Sequence, residues 1–450
     1  MAVELCVTIG ESLPGAVRKK VPNAIADLCL VCLKMMAEID EDSEWGSKTV
    51  PEDDDEDLPQ LTVVGESSLD RIARSLGGQT VLKAIAPKIA ELLVPQSSWQ
   101  NKRAALLALS AIAEGTAKSI KSILPELVPT MLPFLQDEHP RVRHAACNCV
   151  GQLSTDLAPE MQKMFHTQIL QSLVPVLDDP VCRVRTHAGA ALVNFIDDAP
   201  KEVIMPYLTP LCEKLAVVLQ QHFAATGPFM VLEQLCTTVA AVADKVEEDF
   251  ASEYHRFLPN LRQLLQATES AKAPESPDQP DLRLLRGKTI ECVSLIGLAV
   301  GKEKFLPDAH DIMQQLVKTQ QDTSSWSDDD PQISYMISAW ARICQILGDE
   351  FHQYLPMVMG PLMKAASFKP EVQLVDPDDV DENDNNDDWE YVNIGGGQSF
   401  GIATAGLEEK ATACQMLVCY AKELGGKFEQ YIEEVAQVHK DTISQIYSHF

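Results

Sequence analysis

Two observations predict an all-α solenoid, a right-handed superhelical array of stacked helix hairpins. The first is a recurring block. DEHPRVRHAACNCVGQLSTDLAP (137–159) returns as DDPVCRVRTHAGAALVNFIDDAP (178–200), with Arg141 and Arg183 42 residues apart, as are Arg143 and Arg185. The second is that each block has helical periodicity and follows another helical run, so the unit is helix–turn–helix. A period near 42 residues is that of HEAT repeats. No such hairpin buries its apolar face alone, so neighbours stack into one continuous core. Residues 1–450 are therefore expected to form a single HEAT-repeat solenoid segment of about ten repeats.

Taken in chain order, the elements follow from this frame. MAVELCVTIGESLPGAVRKK carries its basic residues after its apolar ones, the wrong order for a signal peptide. LCLVCL places Cys29 and Cys32 in a CxxC, but no second ligand pair completes a zinc set, so both read as small core residues. EIDEDSEWGSKTVPEDDDED (38–57) reads as a solvated acidic loop, and a loop is expected over 40–60. GESSLDRIARSLGG (65–78) and SWQNKRAALLALSAIAEG (98–115) are earlier, weaker copies of the second helix, and DLRLLRGKTIECVSLIGLAVG (281–301) is a later one. TVLKAIAPKIAELLV, LPELVPTMLPFLQD, HTQILQSLVPVLDD and YHRFLPNLRQLLQ are the first helices that alternate with them. Further loops are expected at 267–280 and 321–330, and an acidic insertion at 370–400.

Within the blocks, Asp137 precedes Arg143 by six residues and Asp179 precedes Arg185 by six. This turn Asp and second-helix Arg form an expected structural ladder, pairing within and between repeats.

A different row of acids is the candidate site. Asp156 ends its second helix; Glu114 lies 42 residues before it, Asp198 lies 42 after it, Asp70 is 44 before Glu114, and Asp244 is 46 after Asp198. Asn148, Gln152 and Asp156 fall four apart and share one helix face, and Asn194 stands four before Asp198. Second helices of a stacked solenoid line its concave face at a spacing of roughly 8–10 Å. An extended peptide advances about 3.3 Å per residue, so about three peptide residues match one repeat. Carboxylates at that pitch suit spaced Lys or Arg side chains, with Asn and Gln left for the peptide backbone. The competing reading is an N-cap role for these acids, which DLAPE and DAPKE allow. Against it, a carboxylate in the last turn of a helix opposes the macrodipole at a cost of about 0.3–1 kcal/mol.

Composition narrows the partners. Net charge is −29, with 66 acidic against 37 basic residues, which repels nucleic acid and anionic membrane and attracts basic partners. No run approaches the roughly 18 apolar residues of a membrane span. Twelve scattered cysteines suit a reducing compartment. No catalytic constellation is present: RGKT (286–289) lacks the first Gly of a phosphate loop and sits inside a helical run, GGGQSFG (395–401) lacks a dinucleotide spacing, and the ten His are dispersed. Neither an enzyme nor any cofactor or metal is expected.

DLRLLRGKTIECVSLIGLAVGKEKF, DDDPQISYMISAWARICQILG, YLPMVMGPLMKAASFKPEV and QSFGIATAGLEEKATACQMLVCYAKEL resemble the karyopherin-beta nuclear import receptors, as do LQDEHPRVRHAACNCVGQLSTD and GESSLDRIARSLGG. The resemblance spans about 4–436. It implies a HEAT solenoid that carries basic nuclear localisation signals through the nuclear pore, binds FG-repeat nucleoporins, shuttles between cytoplasm and nucleus, and releases cargo to Ran-GTP. It also implies a cargo groove at Asp70, Glu114, Asn148, Asp156, Asn194 and Asp198. Gln152 and Asp244 belong to the cargo-binding set by spacing. The family pattern begins before this chain and departs from it over VAQVHKDTISQIYSHF (435–450), so a central fragment is expected, with the main Ran contacts missing. The alternative is a passive HEAT scaffold of the phosphatase-scaffold kind. An importin-alpha-like WxxxN groove is disfavoured, since only Trp389 and Asn393 match, in an expected loop.

Overall fold

The computed structural model describes residues 2–49, 58–224, 229–272, 281–321, 330–368, 372–375, 389–393, 399–403, 407–438 and 440. Helices dominate, and their contacts divide the chain into two compact units. The first comprises Met1–Asn260 and Ala273–Leu285, the second Leu261–Lys272 and Arg286–Phe450.

In chain order the first unit holds α1 (Ala2–Ser12), α2 (Pro14–Lys20), α3 (Pro22–Ala37), α4 (Gln60–Leu76), α5 (Gly78–Leu92), α6 (Trp99–Ile120), α7 (Leu124–Met131), α8 (Pro140–Asp156), α9 (Glu160–Leu173), α10 (Cys182–Asp197), α11 (Lys201–Ile204), α12 (Leu208–Ala224) and α13 (Phe229–Val246). α4, α6, α8, α10 and α13 are the second helices, and each packs on the next. First helices flank them, α5 on α6, α9 on α8 and α12 on α13. This is the stacked-hairpin layer that the 42-residue period predicts. Its core is a run of buried small and aliphatic side chains, such as Ala104, Ala108 and Ile112 on α6, Val142, Cys149 and Val150 on α8, and Val184, Ala188 and Leu192 on α10.

The turns ahead of α8 and α10 are built in the same way. Asp137 Oδ1 accepts the N–H of His139, and Asp179 Oδ1 accepts the N–H of Val181, both at 2.9 Å. The turn carboxylate thus satisfies a backbone donor just ahead of the second helix. Asp281 and Asp330 repeat the device ahead of the helices that follow them, to Arg283 at 2.9 Å and Gln332 at 3.0 Å. Arg143 Nη1 donates to the Asp137 carbonyl and Arg185 Nη1 to the Asp179 carbonyl, each at 2.9 Å. Between repeats, Arg143 grips the Asp179 carboxylate bidentately at 2.5 and 2.9 Å, and Lys102 reaches Asp137 at 2.9 Å. Within a repeat the Arg therefore meets the carbonyl of the turn Asp, because its carboxylate is already held by the previous repeat's cation.

α14 (Tyr254–Ala267) and α15 (Leu282–Gln321) follow, the latter turning at Gly301, whose φ is 77°. α16 (Gln332–Leu347), α17 (Leu355–Ala366) and α18 (Leu407–Leu424) belong to the second unit. So does a small antiparallel sheet, β1 (Val372–Val375), β2 (Trp389–Asn393) and β3 (Ser399–Ala403), in the order β1-β3-β2. Trp389 and Asn393 thus lie in a strand rather than in the expected loop. VQLV, WEYVN and SFGIA are rich in β-branched and aromatic residues, which favour a pleated strand over a coil. The acidic run 376–388 lies outside the described residues, as do 50–57, 273–280 and 322–329.

Two sequence features resolve into packing. Cys29 and Cys32 are buried in α3, and burial pushes their thiols up to about 12 and about 11, which leaves them unreactive. RGKT lies in α15, where a Cβ on Gly287 would fall 2.3 Å from the Tyr335 ring. Arg286 is buried and donates to the Leu265 carbonyl at 2.5 Å.

Candidate functional site

The carboxylate row does not sit where helix ends would put it. Asp156 is the last residue of α8, and Asp198 follows the last residue of α10. Glu114, however, lies six residues inside α6, Asp70 six inside α4, and Asp244 two inside α13. The row follows the packing of the helices, not their termini. The N-cap alternative does not hold for Asp156 and Asp198. α9 is entered through Pro159 and α11 through Pro200, neither with a side-chain cap.

Packing brings Asp70, Glu114 and Asp156 together. A Cβ on Gly115 would fall 2.4 Å from the Ala73 carbonyl carbon and 2.6 Å from the Arg74 nitrogen. Only a glycine lets α6 approach α4 so closely, and the approach sets Glu114 beside Arg74. Arg74 forms an i,i+4 ion pair with Asp70 and lies 3.8 Å from Glu114. Gln152 Nε2 donates to Asp156 Oδ2 at 2.9 Å. Partial burial raises the Asp156 carboxyl above its ordinary range; the Gln152 hydrogen bond opposes this, and the charges of Glu114 and Asp70 add to it. Three successive second helices thus converge three carboxylates, and Arg74 bridges the first two.

Beyond them, Asn194 Nδ2 lies 3.3 Å from where a Cβ on Gly151 would stand, so it faces α8 at the level of Gln152. Asn148 is half-buried one turn earlier on the same face. Asp198 and Asp244 form a second acidic group around Asp197. The Asp197 carboxyl is raised by burial, against the pull of Lys245, with Asp198 and Asp244 raising it further. Lys245 Nζ donates to the Asp197 carbonyl at 2.7 Å. Sequence spacing singles out none of Arg74, Lys245 and Asp197. Arg74 is legible in DRIAR as the i+4 partner of Asp70; Lys245 and Asp197 carry no comparable signal.

Chemically, this face offers exposed or half-exposed carboxylates, and half-buried amides, at about one set per repeat. Among the described residues no group of His, Cys, Asp and Glu has the arrangement of a metal site, and no helix is long and apolar enough to cross a membrane.

Comparison with known proteins gives the same architecture a family. A model described as importin repeat matches residues 1–83, and one described as HEAT-like repeat matches 99–153. Importin subunit beta-3 of Saccharomyces cerevisiae is 34% identical over 97% of the chain, which spans 38% of that protein's length. Kap121p bound to Pho4p matches with a TM-score of 0.83 at 32% identity, covering 97% of this chain and 40% of that one. Kap121p bound to Nup53p matches at 0.82 and 33%, with the same coverages. A Kap121p mutant, in which an Asp, a Glu and an Asp about one repeat apart are each replaced by Lys, matches at 0.83 and 33%, again with the same coverages. The chain belongs to the importin, or karyopherin-beta, family of HEAT-repeat proteins.

Proposed function

We propose that this chain is the cargo-binding segment of a nuclear import receptor, taking an extended Lys-rich localisation signal across its second-helix face. Asp70, Glu114, Asp156, Asp198 and Asp244 receive the basic side chains; Asn148, Gln152 and Asn194 hold the peptide backbone. The observation that carries this reading is the convergence of Asp70, Glu114 and Asp156, where partial burial, and then the charges of Glu114 and Asp70, raise the Asp156 carboxyl. An ionised Asp156 in this setting is disfavoured until a cation arrives. Further support comes from the triple-Lys mutant of Kap121p, since Asp70, Glu114 and Asp156 follow in the same residue order at nearly the same intervals. Capture is electrostatic and weakens with salt. FG-repeat nucleoporins, Ran-GTP and shuttling between cytoplasm and nucleus belong to the proposal for the whole receptor, with Kap121p bound to Nup53p as the relative that supports a nucleoporin partner.

The test is fluorescence anisotropy with a labelled Lys-rich peptide. Glu114→Lys and Asp156→Lys each weaken binding by about tenfold or more while the fold is retained. Unchanged affinity in both variants overturns the assignment and favours a passive scaffold.

A further inference from the structure

The acidic segment after α3 does not behave as the solvated loop its composition predicts. Trp45, in a short 3₁₀ turn (Trp45–Ser47), is 1% exposed. It packs on residues about a hundred or more positions later. The guanidinium of Arg141 on α8 lies 5.3 Å from its ring centroid and that of Arg183 on α10 lies 5.4 Å from it. The His144 ring meets it edge-on at 5.5 Å. The His187 ring lies tilted against His144 with centroids 4.1 Å apart, and burial keeps both imidazoles neutral. Trp99 on α6 lies 5.7 Å from the Arg141 guanidinium and stacks on His139 at 4.2 Å. The result is an alternating series, Trp99, Arg141, Trp45, Arg183, across three second helices. The segment brings carboxylates with it. Glu41 lies 3.2 Å from His139 Nε2, and Asp42 is held below its ordinary range by the Glu44 N–H, then by Lys48 and Arg141.

The position of this cage relative to the carboxylate column decides its meaning. Arg141, Asn148 and Gln152 are separated by seven and four residues, and so lie along one face of α8. Two helical turns, about 10 Å, separate Arg141 from Asn148. Arg183 and Asn194 share a face of α10 in the same way. Bare arginines at that distance, within about one Debye length, would repel a basic peptide from the column. Instead Arg141 and Arg183 are buried beneath an indole, and Glu41, Asp42 and Glu44 lie on the segment that covers them.

We infer that segment 38–49 is a strap that sets the charge preference of the face: Trp45 pins acidic side chains over Arg141 and Arg183 and turns a basic half-groove into a wall that admits cations. Trp45 is a positioning residue here and touches no peptide. The inference rests on the basic-peptide reading of the column, and its test separates the two.

The full chain is compared with Trp45→Ala and Trp45→Phe, using a labelled Lys-rich peptide and a Glu-rich peptide of equal length. Trp45→Ala releases the strap, seen as faster tryptic cleavage after Lys48. It weakens the Lys-rich peptide by about three- to tenfold and strengthens the Glu-rich one, since screened charges at this distance act over that range. Trp45→Phe, which keeps a ring in the cage, restores most of the preference. If Trp45→Ala does not fold, Glu41→Lys combined with Glu44→Lys keeps the anchor and is expected to shift the preference in the same direction. Strap release with both peptide affinities unchanged overturns the inference and leaves the column reading intact. A Lys-rich peptide unaffected by both Glu114→Lys and Asp156→Lys overturns the column reading alone; a gain of Glu-rich binding in Trp45→Ala then still supports the strap's covering role, and no gain overturns it.

Discussion

Two rows of acids cross the same stack of helices, and they are treated in opposite ways. The turn row, Asp137 and Asp179, is nearly buried, with side-chain exposures of 11% and 6%. Each carboxylate holds a backbone N–H and a cation from the preceding repeat. The column of Asp70, Glu114 and Asp156 is more open, and Arg74, itself half exposed, bridges its first two members. Residues of one type, at one period, thus do different work according to how completely their charge is answered. A carboxylate whose partners are all internal holds repeats together. On the proposed reading, a carboxylate such as Asp156, hydrogen-bonded to Gln152 and raised further by Glu114 and Asp70, is left for an external cation.

Mutations should separate the rows. The largest effect is expected from Arg143→Ala or Asp179→Ala, which strands one member of a buried bidentate pair. A loss of about 3–5 kcal/mol in denaturant unfolding follows, with peptide affinity of the remaining folded protein unchanged. Next come Glu114→Lys and Asp156→Lys, which lose about tenfold in affinity for a Lys-rich peptide, or about 1.4 kcal/mol, with little change in melting temperature. A turn-row variant that impaired binding as much as stability would erase the distinction.

Asp156→Asn probes the same contrast by removing only the charge. The Asp156 carboxyl is raised in the folded chain, so the folded state binds that proton more tightly than the unfolded one. Its contribution to stability therefore rises as pH falls through the raised pKa, and the ionised form is the less stable one. Asp156→Asn is accordingly expected to melt at the same temperature as the parent or higher, while binding the peptide more weakly. Affinity runs the other way with pH: it falls on acidification, beginning above the ordinary carboxylate range, and this early loss is absent in Asp156→Asn. The smallest effect is expected from Lys88→Ala, which removes an exposed i,i+3 pair with Glu91. It should stay within about 0.5 kcal/mol of the parent.

Much of the fold is legible in the sequence because a repeat states its period directly. Arg141 and Arg183, or Asp137 and Asp179, mark equivalent positions by their spacing alone. The column is legible for the same reason, and its members fall on successive packed helices. What periodicity does not carry is contact between unlike elements. Arg74 enters the column through a glycine on another helix. Asp70 and Glu114 sit inside their helices because repeat length and helix length are independent. The segment 38–49 has the composition of a solvated loop, and one indole docks it onto helices about a hundred or more residues away. The sheet at 372–403 is likewise missed, since strands of four or five residues are too short to rise above the charge run beside them.

Under the proposed function, Asp156 is set apart as a carboxylate that takes a cation from outside the chain. Titration of that carboxyl by ¹³C NMR, with and without a saturating Lys-rich peptide, reads this at the atom itself. The raised pKa is expected to fall toward or below the ordinary aspartate range when the peptide is bound. A carboxyl that stays raised in the saturated complex would contradict the assignment.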